Sequence, residues 1–154
     1  MTWDYDPKQV ISLAQSAIDS HKSAISSILA LDGPRTFSNT IIPLTQADLD
    51  FDQLTNPLIF IKSVSPSKEL IDAVSEAENL LDAYNLKISM DEKVYQTLKE
   101  IKSSKEYQKI NKEDKRYIDK SIEDFDRSGI GMPKEKKEKI LKLSKEMSEI
   151  VKKV

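Results

Sequence analysis

Residues 6–34 read DPKQVISLAQSAIDSHKSAISSILALDGP, and this stretch decides the class of fold. Asp6 is an N-cap and Pro7 stands at the first helical position, where a missing N–H costs nothing because it would have had no partner. Val10, Ala14, Ala17, His21, Ala24 and Ile28 then recur at spacings of four and three, with Ile11, Ile18 and Ile25 beside them. One broad face of a long helix is therefore apolar until Asp32-Gly33-Pro34 stops it. Such a helix packs against others.

The same pattern repeats downstream. Thr36 caps a second helix carrying Phe37, Ile41, Leu44, Phe51 and Leu54, in which Pro43 deletes a backbone donor and predicts a kink or a split. After Asn56-Pro57 the apolar run Leu58 to Val64 is too short for periodicity to choose between strand and helix. With no second strand to pair with it, it reads as a brief helix. Ser65-Pro66 and Glu69 open another, from about Pro66 to about Asn85, whose stripe is Leu70, Val74, Ala77, Leu81, Tyr84 and Ile88. Asp91 to about Lys102 places Val94, Tyr95, Leu98 and Ile101 on one side, and Ser103 to Lys109 reads as a polar linker. Asn111 or Lys112 starts a helix with Tyr117, Ile118, Ile122 and Phe125 inward, stopped by Arg127-Ser128-Gly129. After Gly131-Met132-Pro133, a heptad-like seam of Ile140, Leu143, Met147, Ile150 and Val154 runs to the last residue. The expectation is an all-α, antiparallel, bundle-like stack of about six helices without substantial sheet. Residues 1–154 are expected to form a single helical domain, cut within or at the end of a helix.

A chain of 154 residues with 38% hydrophobic side chains has the size of one ordinary domain. Its 24 Lys and Arg against 26 Asp and Glu give a net charge of −2, which draws it neither to nucleic acid nor to an anionic membrane. The charge is uneven: residues 1–86 hold 5 basic and 12 acidic side chains, residues 87–154 hold 19 and 14. Lys and Glu interleave at helical spacing in the basic half, so it reads as a solvated helix face rather than a nucleic-acid patch. Cysteine is absent, which removes disulfides, thiolate nucleophiles and Cys-based metal sites. No run of about 18 apolar residues and no leader pattern is present, so a cytoplasmic protein is expected.

Catalytic patterns fail one after another. Helical zinc peptidases need two His four apart with a Glu beside the first, and the single His21 lies on an apolar stripe, where a buried, hydrogen-bonded packing role is expected. Asp48-Leu49-Asp50-Phe51-Asp52 begins like a calcium loop, but Gln53 stands where glycine is needed and Ile59 where the bidentate Glu belongs. Gly129-Ile130-Gly131 lacks the third glycine of a phosphate cradle, since Lys134 takes its place. With one imidazole and no nucleophile elbow, a Ser–His–Asp triad has no support. Glu123, Asp124 and Asp126 read as exposed acids, and Trp3, Tyr84, Tyr95 and Tyr117 as core aromatics rather than the lining of a peptide cleft. No catalytic, cofactor-binding or metal-ligating residue is assigned.

Five blocks, taken in order, carry a family resemblance. Trp3-Asp4 precedes a proline-started helix, and Arg35-Thr36-Phe37-Ser38-Asn39-Thr40-Ile41-Ile42-Pro43-Leu44 matches "T-F-x-N-T…P-L". Val64-Ser65-Pro66-Ser67-Lys68-Glu69-Leu70, followed by Ala73, Ser75, Glu76, Ala77 and Glu78, matches "V-S-P-x-x-E-L…A-S-x-E-A-E". Asp91-Glu92-Lys93-Val94-Tyr95 looks like a segment ending "D-V-Y". Arg116, then Asp124-Phe125-Asp126-Arg127-Ser128-Gly129, then the Pro133-to-Met147 helix look like "R…D-F-x-R-x-G…L-P…I…K-E-x-S". Across nearly the whole chain the order resembles the N-terminal, non-catalytic region of the thimet oligopeptidase, neurolysin and saccharolysin family of zinc metallopeptidases.

That resemblance implies two helical lobes around a channel for short peptides, with the zinc-binding His-Glu-x-x-His helix in the second lobe. The zinc and every catalytic residue would then fall outside this sequence, leaving the chain inactive alone and without a cofactor of its own. It implies the catalytic lobe of the same or a related peptidase as partner, with short peptides and self-association through an exposed apolar face as further expectations. The alternative is a stand-alone peptide- or protein-interaction module derived from that family.

Overall fold

A computed structural model describes residues 5–153, so Trp3-Asp4 and Val154, used above, lie outside the described residues. Seven α-helices and one π-helical turn follow in order: α1 (Pro7–Leu29), the π turn (Phe37–Ile41), α2 (Ile42–Val64), α3 (Lys68–Ile88), α4 (Glu92–Lys102), α5 (Lys105–Lys109), α6 (Lys112–Ser128) and α7 (Lys134–Lys153). No strand occurs among the described residues. Two compact units divide them, one ending at Tyr84 and the other beginning at Asn85.

In the first unit α1 begins as its sequence predicts. The Asp6 carboxylate accepts from the Lys8 N–H at 2.8 Å, and Gln9 Oε1 accepts from the Asp6 N–H at 3.2 Å. Val10, Ala14, Ala17, Ile18, His21, Ile25 and Ile28 are buried, which is the predicted stripe without Ile11 and Ala24. The far end is closed by a residue the sequence did not flag. Arg35 reaches back to donate from Nη1 to the Ile28 carbonyl at 2.5 Å and from Nη2 to the Leu29 carbonyl at 2.6 Å, placing a cation at the negative end of the helix dipole.

Thr36 caps as expected, but what it caps is a π turn. Its Oγ1 accepts from the Asn39 N–H at 3.0 Å, while Asn39 Oδ1 accepts from the Thr36 N–H at 2.8 Å and from the buried Thr40 hydroxyl at 2.7 Å. Pro43 then sits in the first turn of α2, where it costs nothing, so the predicted split falls just before it.

Two expectations for α2 need correction. Leu58 to Val64 is not a separate brief helix, because α2 runs unbroken through Pro57. Pro57 has no N–H to offer the Gln53 carbonyl, but Gln53 is exposed, so the lost bond falls on the solvent side; Phe51, Thr55, Leu58 and Ile61 are buried on the opposite face and hold the helix together. Leu54 is half exposed rather than inward. Helix α3 buries Leu70, Ala73, Val74, Ala77, Leu81 and Tyr84. Lys62 Nζ lies 2.6 Å from Glu78 Oε2, and together with the contact of Tyr84 and Phe51 this sets α2 and α3 antiparallel.

In the second unit Asp91 caps α4 by accepting from the Lys93 and Val94 N–H groups, and Val94, Thr97, Leu98 and Ile101 are buried. The Ser103–Lys109 linker contains a short helix, α5, capped by Ser104. Helices α4 and α6 run antiparallel, since Tyr95 meets Asp126 at one end and Lys102 meets Asp119 at the other. Gly129 ends α6 with φ +88°, and a Cβ there would stand 3.0 Å from Ile140 Cδ1, so α7 packs directly on the glycine. Tyr117, expected inward, is 43% exposed. Along α7 the seam residues Leu143, Met147 and Ile150 are 59–66% exposed, while Leu141, Ser144 and Ser148 on the adjoining side of the helix are half-buried.

Candidate functional site

The sole histidine is where α1, α2 and α3 meet. His21 is 4% exposed; its Nε2–H donates to Asp48 Oδ1 at 2.9 Å, and Nδ1 accepts from the Tyr84 hydroxyl at 2.8 Å. Because a carboxylate can only accept, Asp48 fixes the proton on Nε2. The ring lies 5.0 Å from Phe51 and edge-on to Tyr84, and the Lys22 ammonium is 5.4 Å from the centroid of the Tyr84 ring. A cavity of about 80 Å³, lined by Ala17, Ala24, Ala47 and Phe51 among others, adjoins the imidazole.

Both imidazole nitrogens are thus engaged in holding three helices. A zinc ion needs three or four donors with free lone pairs. No group of three or more His, Asp or Glu side chains that could hold a metal exists among the described residues, so the residues present do not fit a zinc site. The cluster is a polar pin whose imidazole is buried and whose Asp48 carboxylate stands at the surface.

The other sequence candidates have equally specific places. Asp48, Asp50 and Asp52 lie mid-helix on α2, where Asp50 points away from the face that Asp48 and Asp52 share, so the three do not converge. Asp48 goes to His21, and Asp50 accepts from Gln46 at 2.7 Å. Glu123 pairs with Arg127 and Asp124 with Lys120, while Asp126 accepts from the Tyr95 hydroxyl at 2.6 Å, which holds that phenol above its usual range. Tyr84 belongs to the first unit, and Tyr95 packs on Phe125 in the second. A shallow groove of about 920 Å³ follows the serine-rich side of α1, past Ser12, Ser16, Ser20, Ser23 and Leu80; its one carboxylate, Asp19, accepts from the Gln15 amide at 3.0 Å, and no imidazole lines it.

One titrating cluster escaped the sequence. Asp119 Oδ2 accepts from the Tyr107 hydroxyl at 2.8 Å, and Oδ1 has the Lys102 ammonium at 2.8 Å. Lys102 first and Tyr107 second hold the Asp119 carboxyl below the ordinary carboxylate range, while Asp119 holds Lys102 above its own. Tyr107 sits in what reads as a linker, twelve residues from its partner, so no periodic signal announces the contact. Lys137 likewise lowers the Glu92 carboxyl, tying the first turn of α7 to the start of α4.

This arrangement defines an all-helical scaffold whose polar clusters fasten helices together and whose largest unsatisfied feature is apolar surface on α7 and α2. The family described as "Neurolysin/Thimet oligopeptidase, N-terminal domain" matches residues 17–137, and the chain belongs to that family. It is 27% identical to oligopeptidase A of Salmonella typhimurium over 94% of this chain and 21% of that protein. It is 30% identical to the thimet-like oligopeptidase of Dictyostelium discoideum over 75% of this chain and 18% of that one. Saccharolysin of Saccharomyces cerevisiae is 22% identical over 95% and 21%. The chain therefore spans about a fifth of the length of these curated relatives. No described helix is long and apolar enough to cross a membrane.

Proposed function

We propose that this chain is the helical, channel-wall region of a thimet-oligopeptidase-like zinc metalloendopeptidase that degrades short peptides in the cytoplasm, and that it supplies no zinc ligand itself. The match over residues 17–137 to the N-terminal domain of that family carries the proposal. The occupied nitrogens of His21 agree with it, since the one imidazole is spent on packing. A wall of this kind acts sterically: fastened helices narrow the space open to a peptide and reduce the disorder a bound peptide brings to the reacting centre. The metal chemistry belongs to the catalytic lobe, which is the chain's partner.

The test is a chimera in which residues 1–154 replace the corresponding first fifth of Escherichia coli oligopeptidase A, which is 26% identical to this chain. Chelator-sensitive hydrolysis of a quenched fluorescent peptide is expected from the chimera and none from the chain alone. Turnover by the chain alone with added zinc would overturn the proposal, as would a folded but inactive chimera.

A further inference from the structure

We infer that Asp32-Gly33, in the loop after α1, is a self-modifying site: it cyclises to a succinimide, reopens as isoaspartate, and thereby becomes a substrate for a repair carboxyl methyltransferase that uses S-adenosylmethionine. Asp32 is the one aspartate or asparagine in the sequence that glycine follows. Ring closure needs a follower whose amide nitrogen no side chain shields and a backbone free of the helical ladder; reopening needs water. Residues 31–34 are exposed and lie between α1 and the π turn. Gly33 has φ +95°, in the left-handed region that a side chain would strain, and a Cβ there would meet nothing within 4 Å. The turn thus demands the residue that leaves the nitrogen open. Among the described residues no hydrogen bond engages the Asp32 carboxylate or the Gly33 N–H. By contrast Asp19-Ser20, also exposed and also followed by a small residue, lies within α1, where the ladder holds the Ser20 N–H.

The change needs no oxidant or reductant. The Gly33 nitrogen attacks Asp32 Cγ; the N–Cγ bond forms, the Cγ–OH bond of the neutral carboxyl breaks, and the hydroxyl leaves with the amide proton as water. When water re-enters at the Asp32 main-chain carbonyl, the old peptide bond breaks. The chain then continues through the side chain, one methylene longer, and an α-carboxylate is freed. A methyltransferase moves the methyl of S-adenosylmethionine onto that carboxylate, and the ester recloses to the succinimide with loss of methanol. The longer link falls between α1 and Arg35, whose guanidinium holds the Ile28 and Leu29 carbonyls, so isomerisation loosens that clasp.

The test ages the chain and its Asp32→Glu variant, whose longer side chain closes a less favourable ring, in warm, mildly acidic buffer. Both are then incubated with the methyltransferase and tritiated S-adenosylmethionine, and the acceptor sites are located by peptide mass spectrometry with electron-transfer fragmentation. Methyl acceptance at Asp32 is expected to build up about tenfold faster than at Asp19, because a helical aspartate reacts only while its turn is open. It is expected to vanish at this position in Asp32→Glu. Acceptance at Asp32 no faster than at Asp19, or total acceptance undiminished in Asp32→Glu, overturns the inference. The isoaspartyl form, separated from its parent by anion exchange, is expected to melt about 2–4 °C below it, and to match it in the Arg35→Ala background. An isoaspartyl form that melts with its parent, or a difference that survives Arg35→Ala, rejects the loosened clasp and leaves the modification site standing.

Discussion

His21 and Arg35 show how much single side chains carry here. Tyr84→Phe leaves Nδ1 of a 4%-exposed imidazole without the hydroxyl that satisfies it, which is expected to destabilise the first unit by about 1–3 kcal/mol in a urea titration. Phe51→Leu, by comparison, preserves every hydrogen bond and tests the ring contacts alone. Arg35→Ala uncovers two terminal carbonyls of α1 and removes a cation from its C-terminus, with an expected loss of about 1–2 kcal/mol. Arg35→Lys recovers less than half of that, because one ammonium does not span two carbonyls as the guanidinium fork does. His21 was legible as a packing residue from its place on the α1 stripe; its partners Asp48 and Tyr84 were not, being 27 and 63 residues away.

Among the elements, helices with one apolar face were readable nearly to the residue, as α1 and α3 show. Helix α2 was not, because Pro57 looks like a terminator and only the buried side chains on both sides of it keep the helix whole. Helix α5 was missed because five residues give no periodicity. The α4–α6 pair makes a pH-dependent prediction. Asp119 is held below its ordinary range, so its contribution is present above the unfolded carboxylate value and is lost as pH falls through the depressed folded one. Lys102 is held above its ordinary range, so its contribution is full below the unfolded lysine value and is lost as pH rises through the raised folded one. Asp119→Asn should therefore flatten the acid side of the stability profile, lowering neutral-pH stability by about 0.2–1 kcal/mol because the carboxylate is nearly half exposed. Denaturation midpoints measured across the acid and neutral range check it.

For the whole molecule, the all-helical class and the family were both in the sequence, whereas the exposure of the last apolar row could not be read there. The seam from Ile140 to Ile150 has a heptad-like spacing, and spacing cannot say whether a helix to cover it is present in the same chain. Replacing Leu143, Met147 and Ile150 together by Gln is expected to lower binding of a hydrophobic dye while shifting the thermal midpoint by no more than 2 °C, since none of the three is buried. Helix α2 has a comparable ambiguity of its own, with Leu44, Phe51, Leu58 and Ile61 on the inner side and exposed Ile42, Leu49, Phe60 and Val64 on the outer one. Greasiness alone does not choose which side is swallowed, so the choice falls to the Asp48–His21 and Lys62–Glu78 links and to the amides of Gln46, Gln53 and Asn56, which resist immersion. With Asp48→Ala and Lys62→Ala combined, the three amides still bar the other side from the interior, so the rod should keep its bearing, with single ring resonances for Phe51 and Phe60, and only adding Gln46→Leu, Gln53→Leu and Asn56→Leu should double them while total helicity stays the same.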